Sequence, residues 1–130
     1  MNSSIIKTET EIILMREAGK LLSQVFNMLD SYIAEGLTTL EIDKKVNDYI
    51  TNILKARPAS KGQYGYKFSL NSSVNEVVCH GIPNNHSPLK AKDIVNIDIT
   101  LEKNGFISDS SKMYTFNNTS PEAKRLVNIT

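Results

Sequence analysis

The chain has 130 residues, 40% of them apolar and 22% charged, with 15 Lys and Arg against 14 Asp and Glu for a formal charge of +1. That length fits a single domain spanning 1–130 that should bury roughly two-thirds of the surface its unfolded chain exposes, while the near-neutral balance gathers neither phosphate nor anionic lipid, so nucleic acid is not an expected partner. No apolar run approaches bilayer length, the start MNSSIIK lacks an apolar core of signal-peptide length, and the single Cys79 cannot form an intramolecular disulfide, which together predict a reduced, cytoplasmic protein without membrane contact.

Thr8 with Glu11 fits a capping box, and behind it Ile12, Met15, Ala18, Leu22, Val25 and Leu29 recur at three- and four-residue steps. The spacing predicts an amphipathic helix over about residues 9 to 31. After Gly36, Thr38 and Glu41 repeat the capping signature, and Ile42, Val46, Tyr49, Ile50 and Ile53 form one stripe of a second helix that should stop before Pro58. The segment 58–73, PASKGQYGYKFSLNSS, is rich in Gly, Ser and Tyr and reads as a loop crossing into a strand, with Val74 to Val78 extended.

From Asp93 the period changes to two: Val95, Ile97, Ile99 and Leu101 take one face of a strand and Asn96, Asp98 and Thr100 the other. Asn104-Gly105 is a hairpin signal, so 106–116 is expected to return antiparallel. Two helices therefore precede a hairpin, which predicts a mixed α/β (α+β) fold with the helices packed on an antiparallel sheet. Pro121 and the residues EAKRLVNIT begin like a helix that has no C-terminal cap before Thr130.

The turn decides how Asp98 and Asp109 meet. With Lys103-Asn104 as the two-residue turn they lie directly opposite; with Asn104-Gly105, Asp109 faces Thr100 and is diagonal to Asp98; a three-residue loop puts them on different faces. Like charges opposed on a sheet are destabilising, so such a pair suits a cation or a shared proton, and hard oxygen donors suit one or two divalent ions. The alternative is a polar hairpin face on which both aspartates are simply solvated.

His80, in VNEVVCHGIP, precedes Gly81 and Pro83, a turn from which an imidazole can reach a cleft and orient a substrate or move a proton; it can equally be a hydrogen-bonded turn residue. Cys79, which faces the opposite way if the strand's extension continues, reads as a small buried hydrophobe rather than a nucleophile, and His86 as a solvated loop residue. Tyr64, Tyr66 and Phe68, edged by Gly62 and Gly65, either line an apolar pocket for a side chain such as methionine or cover the core.

The strings VNEVVCHGIP, DIVNIDIT and GFISDSSKMY, in this order with fitting spacers, resemble successive signature segments of type I methionine aminopeptidases. The resemblance spans nearly all of the chain but only about half of that family's catalytic domain. It implies one half of the pseudo-twofold "pita-bread" fold, with Asp98 and Asp109 similar to the two metal-binding aspartates and His80 to the histidine that contacts substrate near the scissile bond. It further implies a divalent cofactor (Co, Mn, Fe or Zn), a peptide N-terminus as substrate, and removal of the N-terminal methionine. The family completes its metal site with one histidine and two glutamates from the second half. Beyond Asp109 this sequence has no histidine and only Glu122, and Gln63 stands where many relatives carry an aromatic residue.

The resulting expectations are a truncated, inactive chain that binds metal weakly or not at all, and a homo-oligomer or a protein partner that covers the missing half. The alternative is a half-length interaction protein: an antagonist, an immunity-type protein or a pseudoenzyme.

Overall fold

The computed structural model describes residues 5–130, so the first four residues of the MNSSIIK segment lie outside the described residues. Both capping boxes form. Thr8 accepts a bond from the Glu11 amide at 3.3 Å and donates its own amide to Glu11 Oε2 at 2.7 Å, and Thr38 and Glu41 repeat the exchange at 3.2 and 2.8 Å. They open α1 (Glu9–Tyr32) and α2 (Thr39–Asp48). Each such cap stabilises its helix by about 1 kcal/mol.

Burial on α1 begins at Ala18 and continues through Leu22, Val25 and Leu29, whereas Ile12 and Met15 stay 37% and 39% exposed. An ideal Cβ on Gly19 would lie 3.9 Å from Ser108, close to the hairpin turn, while Asp30 meets Lys112 farther along the same strand. The turns of α1 before Gly19 therefore overrun the end of the sheet, and the predicted stripe loses its first two members. A π turn, Tyr49–Ile53, ends the second helix: Leu54 bonds back to the Tyr49 carbonyl at 3.0 Å, five residues earlier. The wider turn shifts the angular register. Leu54 consequently enters the core, and Ile53, expected on the buried stripe, is 65% exposed.

The sheet comprises β1 (Arg57–Pro58), β2 (Leu70–Val74), β3 (Ile94–Lys103) and β4 (Phe106–Thr115). β3 is central, with β1 and β2 along one side and β4 along the other, all antiparallel. Arg57 and Glu102 form an ion pair where β1 meets β3. Val95, Ile97, Ile99 and Leu101 are all fully buried against Leu22, Val25 and Leu29 of α1, Ile42 and Val46 of α2, and Leu70 of β2. The helices thus cover one face of the sheet, and the opposite face carries Asn96, Asp98 and Thr100.

The extended stretch expected over Val74 to Val78 is absent. β2 stops at Val74, and Asn75 turns the chain with φ +53 while its side chain bridges the buried Asp93 at 2.9 Å and the Ile94 amide at 3.1 Å. An asparagine that satisfies backbone groups in this way tolerates the left-handed region, and that local bonding outweighs the β propensity of the valines after it. Cys79 lies in the loop beyond, where it is exposed rather than buried as expected, because no strand carries it to the core. His86 is exposed, as its loop context implied. A third helix, α3 (Pro121–Ile129), is capped by Ser120 and leaves Leu126 and Ile129 59% and 71% exposed. No helix among the described residues is long and apolar enough to cross a membrane.

Candidate functional site

The hairpin turn is Asn104-Gly105. Both residues have positive φ, +53 and +81, and Lys103 pairs with Phe106 to close a two-residue loop of the kind whose twist matches the flanking strands. Of the two workable registers this selects the diagonal one, with Asp109 facing Thr100 and Asp98 facing Ser111. Diagonal neighbours sit roughly 7 Å apart at Cβ, within reach of each other's side chains. The two carboxyls approach closely enough to share a hydrogen bond. Partial burial, the like charge of Asp109 and that hydrogen bond all push the Asp98 carboxyl above the usual carboxylate range, while attraction to His80 acts the other way.

On its other side Asp98 pairs with Asn71 of β2. His80 reaches the same face by a route no periodicity signals. The 80–82 segment runs along the outer edge of β2, where the Ser72 amide donates to the Gly81 carbonyl at 2.8 Å and the Gly81 amide donates to Ser73 Oγ at 3.1 Å. A Cβ at Gly81 would lie 2.0 Å from the Ser72 carbonyl oxygen, so only glycine permits this approach. His80 itself holds φ +55, a sparsely populated conformation for a side-chain-bearing residue, and points its exposed ring toward the aspartates.

The loop that leads into β2 is fastened from α2. Asp43, buried on that helix, accepts from the Ser69 and Leu70 amides at 2.7 and 3.2 Å, and Asn47 accepts from Ser69 Oγ at 2.9 Å and Lys61 Nζ at 3.2 Å. Burial nonetheless raises the Asp43 carboxyl above its ordinary pKa, with the two amide bonds opposing that shift. Tyr66 donates to the Leu70 carbonyl at 2.8 Å, and burial together with the charges of Asp43 and Asp98 pushes its phenol up to about 12.

These elements enclose an open cleft of about 610 Å³ whose wall includes Tyr64, Tyr66, Asn71, His80, Asp98 and Asp109. Five of the six residues singled out from sequence therefore meet in one place. Phe68 is the exception: it does not line the cleft but packs its ring edge-on against Tyr66, centroids 5.6 Å apart. Tyr64 stands wholly exposed at the rim in a left-handed conformation. Ser60, Asn71, Thr100 and Ile82 also line the cleft, and sequence reasoning gave them no role. Thr100 shares the strand parity of Asp98 and was detectable on that ground; Asn71 was not, because only the β2–β3 register places it opposite Asp98.

The donor set fits a divalent cation in part. Two hard carboxylates share one face and repel each other, yet among the described residues no group of three or more His, Cys, Asp or Glu side chains is gathered to hold a metal.

A helix-backed antiparallel half-sheet with a carboxylate pair and a histidine on its open face defines one half of a pita-bread metallopeptidase. The chain belongs to Metallopeptidase family M24, whose sequence pattern matches residues 13–130. It is 46% identical over 125 residues to the methionine aminopeptidase of Escherichia coli (strain K12), an alignment covering 96% of this chain and 47% of that protein. The crystal structure of methionine aminopeptidase from Rickettsia prowazekii superposes with a TM-score of 0.91 at 38% identity, over 96% of this chain and 50% of that one. The methionine aminopeptidase of Thermotoga maritima gives 0.90 at 34% identity with the same coverage. The chain thus spans about half the length of the relatives it matches.

Proposed function

We propose that this chain carries the first half of a metal-dependent aminopeptidase site, the activity named for the methionine aminopeptidases it is similar to, in which Asp98 and Asp109 are metal ligands and His80 contacts the substrate. The observation that carries the reading is the convergence of His80, Asp98 and Asp109 on one cleft from three separate segments of the chain. The carboxylate pair gathers negative charge where a cation and the amino group of a peptide N-terminus would both be favoured. The position of the His80 imidazole, held by the Gly81 approach, supports reading it as a hydrogen-bond partner of a substrate backbone group. A divalent ion held there supplies Lewis-acid polarisation of the scissile carbonyl and an acidified water.

Two carboxylates leave most coordination positions of such an ion to water, so the 130-residue chain should bind Mn²⁺ or Co²⁺ no more tightly than about 0.1 mM by calorimetry. It should also release no methionine from a Met-Ala-Ser peptide above a metal-only control. Tight binding that survives both Asp98→Asn and Asp109→Asn would move the site elsewhere, and robust turnover abolished by Asp98→Ala would require further ligands from another chain.

A second reading, a non-catalytic protein that binds a partner, is favoured by one feature. β4 pairs only with β3, so its outer edge, ten residues long, hydrogen-bonds no other strand among the described residues. Unpaired edges invite strand addition from another chain. A homodimer or a complex burying more than about 1,000 Å² is the expected state at micromolar concentration. Sedimentation equilibrium that returns a folded monomer would remove this reading and leave the site proposal standing.

A further inference from the structure

His80 is held from one side only. Residues 78–80 make no hydrogen bond among the described residues, so the chain that precedes the imidazole does not fix it. The chain that follows does. Gly81 is pressed on β2, and three residues further on Asn84 is clasped by α2: its amide donates to Thr39 Oγ1 at 2.9 Å, and its carbonyl accepts from that same hydroxyl at 3.3 Å and from the Leu40 amide at 3.0 Å. Between these two fastenings lie Ile82 and the buried Pro83, whose ring fixes φ. A segment this short with both ends tied transmits the place of Asn84 to Gly81, and so to the residue before it.

Thr39 is only 1% exposed on the first turn of α2, and its hydroxyl bonds to no group but the backbone of Asn84. Threonine at a helix start commonly serves as the cap, but here Thr38 already fills that place, which leaves the Thr39 hydroxyl to the loop alone. Four residues along the same helix, Asp43 holds the amides of Ser69 and Leu70 where the chain enters β2. One helix thus fastens the two segments that bring His80 and Asn71 to the cleft, each through a separate buried side chain. We infer that Thr39 is the positioning residue for His80: by closing on both backbone groups of Asn84, its hydroxyl sets the place of the imidazole relative to Asp98 and Asp109. The contact is made wholly within this chain. The inference rests on the aminopeptidase reading above, in which His80 contacts substrate, and adds a residue that serves that role.

The test is NMR of the ¹³C,¹⁵N-labelled 130-residue chain with Mn²⁺ as the probe, since paramagnetic broadening falls steeply with distance. In the wild type Mn²⁺ should broaden the signals of Asp98, Asp109 and the His80 ring together. Thr39→Val, which keeps the shape and removes the hydroxyl, should shift the His80 ring signals and diminish their broadening, while Asp98, Asp109 and the Ser69 and Leu70 amides behave as in the wild type. Thr39→Ser, which restores the hydroxyl, should return the His80 signals to their original places. A measurement on the wild type stands even if the valine variant does not fold: relative to its intrinsic rate, the Asn84 amide should exchange with solvent at least about fivefold more slowly than the Asn85 amide, which has no partner, the ratio that one net hydrogen bond confers. Unmoved His80 signals in Thr39→Val, a serine variant as displaced as the valine one, or an Asn84 amide no slower than that of Asn85 each overturns the inference and leaves the aminopeptidase reading in place. Displacement of the Ser69 and Leu70 amides along with His80 overturns it too, because α2 as a whole has then loosened. Absence of broadening at Asp98 and Asp109 in the wild type overturns the site reading itself, and with it the role of His80.

Discussion

Gly81→Ala is expected to destabilise the protein by about 3 kcal/mol and to displace His80 from the cleft. The atoms that the new methyl group would meet are the carbonyl oxygen and carbon of Ser72, at 2.0 and 2.7 Å, and the Cα of Ser73 at 3.0 Å. All are backbone atoms of a strand whose other edge pairs with β3, so none can yield as a flexible side chain would. The 80–82 segment must lift away instead, losing the Ser72 amide bond to Gly81 and the Gly81 amide bond to Ser73 Oγ. For a domain of this size the loss corresponds to a fall in Tm of about 10 °C. The local part of the prediction is independent of the global one: the His80 ring signals should move and lose their sensitivity to Asp98→Asn. A variant that melts within about 2 °C of the wild type with unmoved His80 signals would show that the segment does not hold its place against β2.

Ile99→Ala should cost still more, about 4 kcal/mol, and Ile99→Val about 1 kcal/mol. Ile99 is fully buried, pairs with the fully buried Leu70 across β2 and lies immediately after Asp98 on β3. Removing its outer methyls leaves a cavity walled by the sheet and α1, and neither can close on it without breaking strand register or the helix packing. The conservative valine keeps the β-branch and most of the contacts. Denaturant unfolding of the pair distinguishes a packing effect, graded with volume, from a general intolerance at this strand; equal losses in the two variants would point to the latter. The cleft should survive in Ile99→Val, since Asp98 points to the opposite face.

Much of the fold was legible because its signals are local. Thr8 with Glu11 and Thr38 with Glu41 mark helix starts through bonds that span three residues, and the strict alternation of Val95, Ile97, Ile99 and Leu101 reports a strand with one dry face. Reading failed where a local feature was overridden or depended on a neighbour. Val74 to Val78 has the composition of a strand, but Asn75 finds Asp93 and turns the chain; Ile53 falls on the apolar stripe of an ideal helix, but a π turn rotates it outward. Cys79 follows from the first of these errors, since without the strand nothing carries it inward.

The sequence by itself determined the capped starts of α1 and α2, the dry and wet faces of β3, the turn chemistry of Asn104-Gly105 and the likeness to a known family of metallopeptidases, because each of these rests on residue identity and short-range spacing. Only the tertiary structure decided that Asp109 is diagonal to Asp98, that His80 joins them by way of a glycine pressed on β2, and that Asn71 and Ser60 stand in the same wall. Strand register and close backbone approach are relations between segments far apart in the chain, and no periodicity within one segment encodes them.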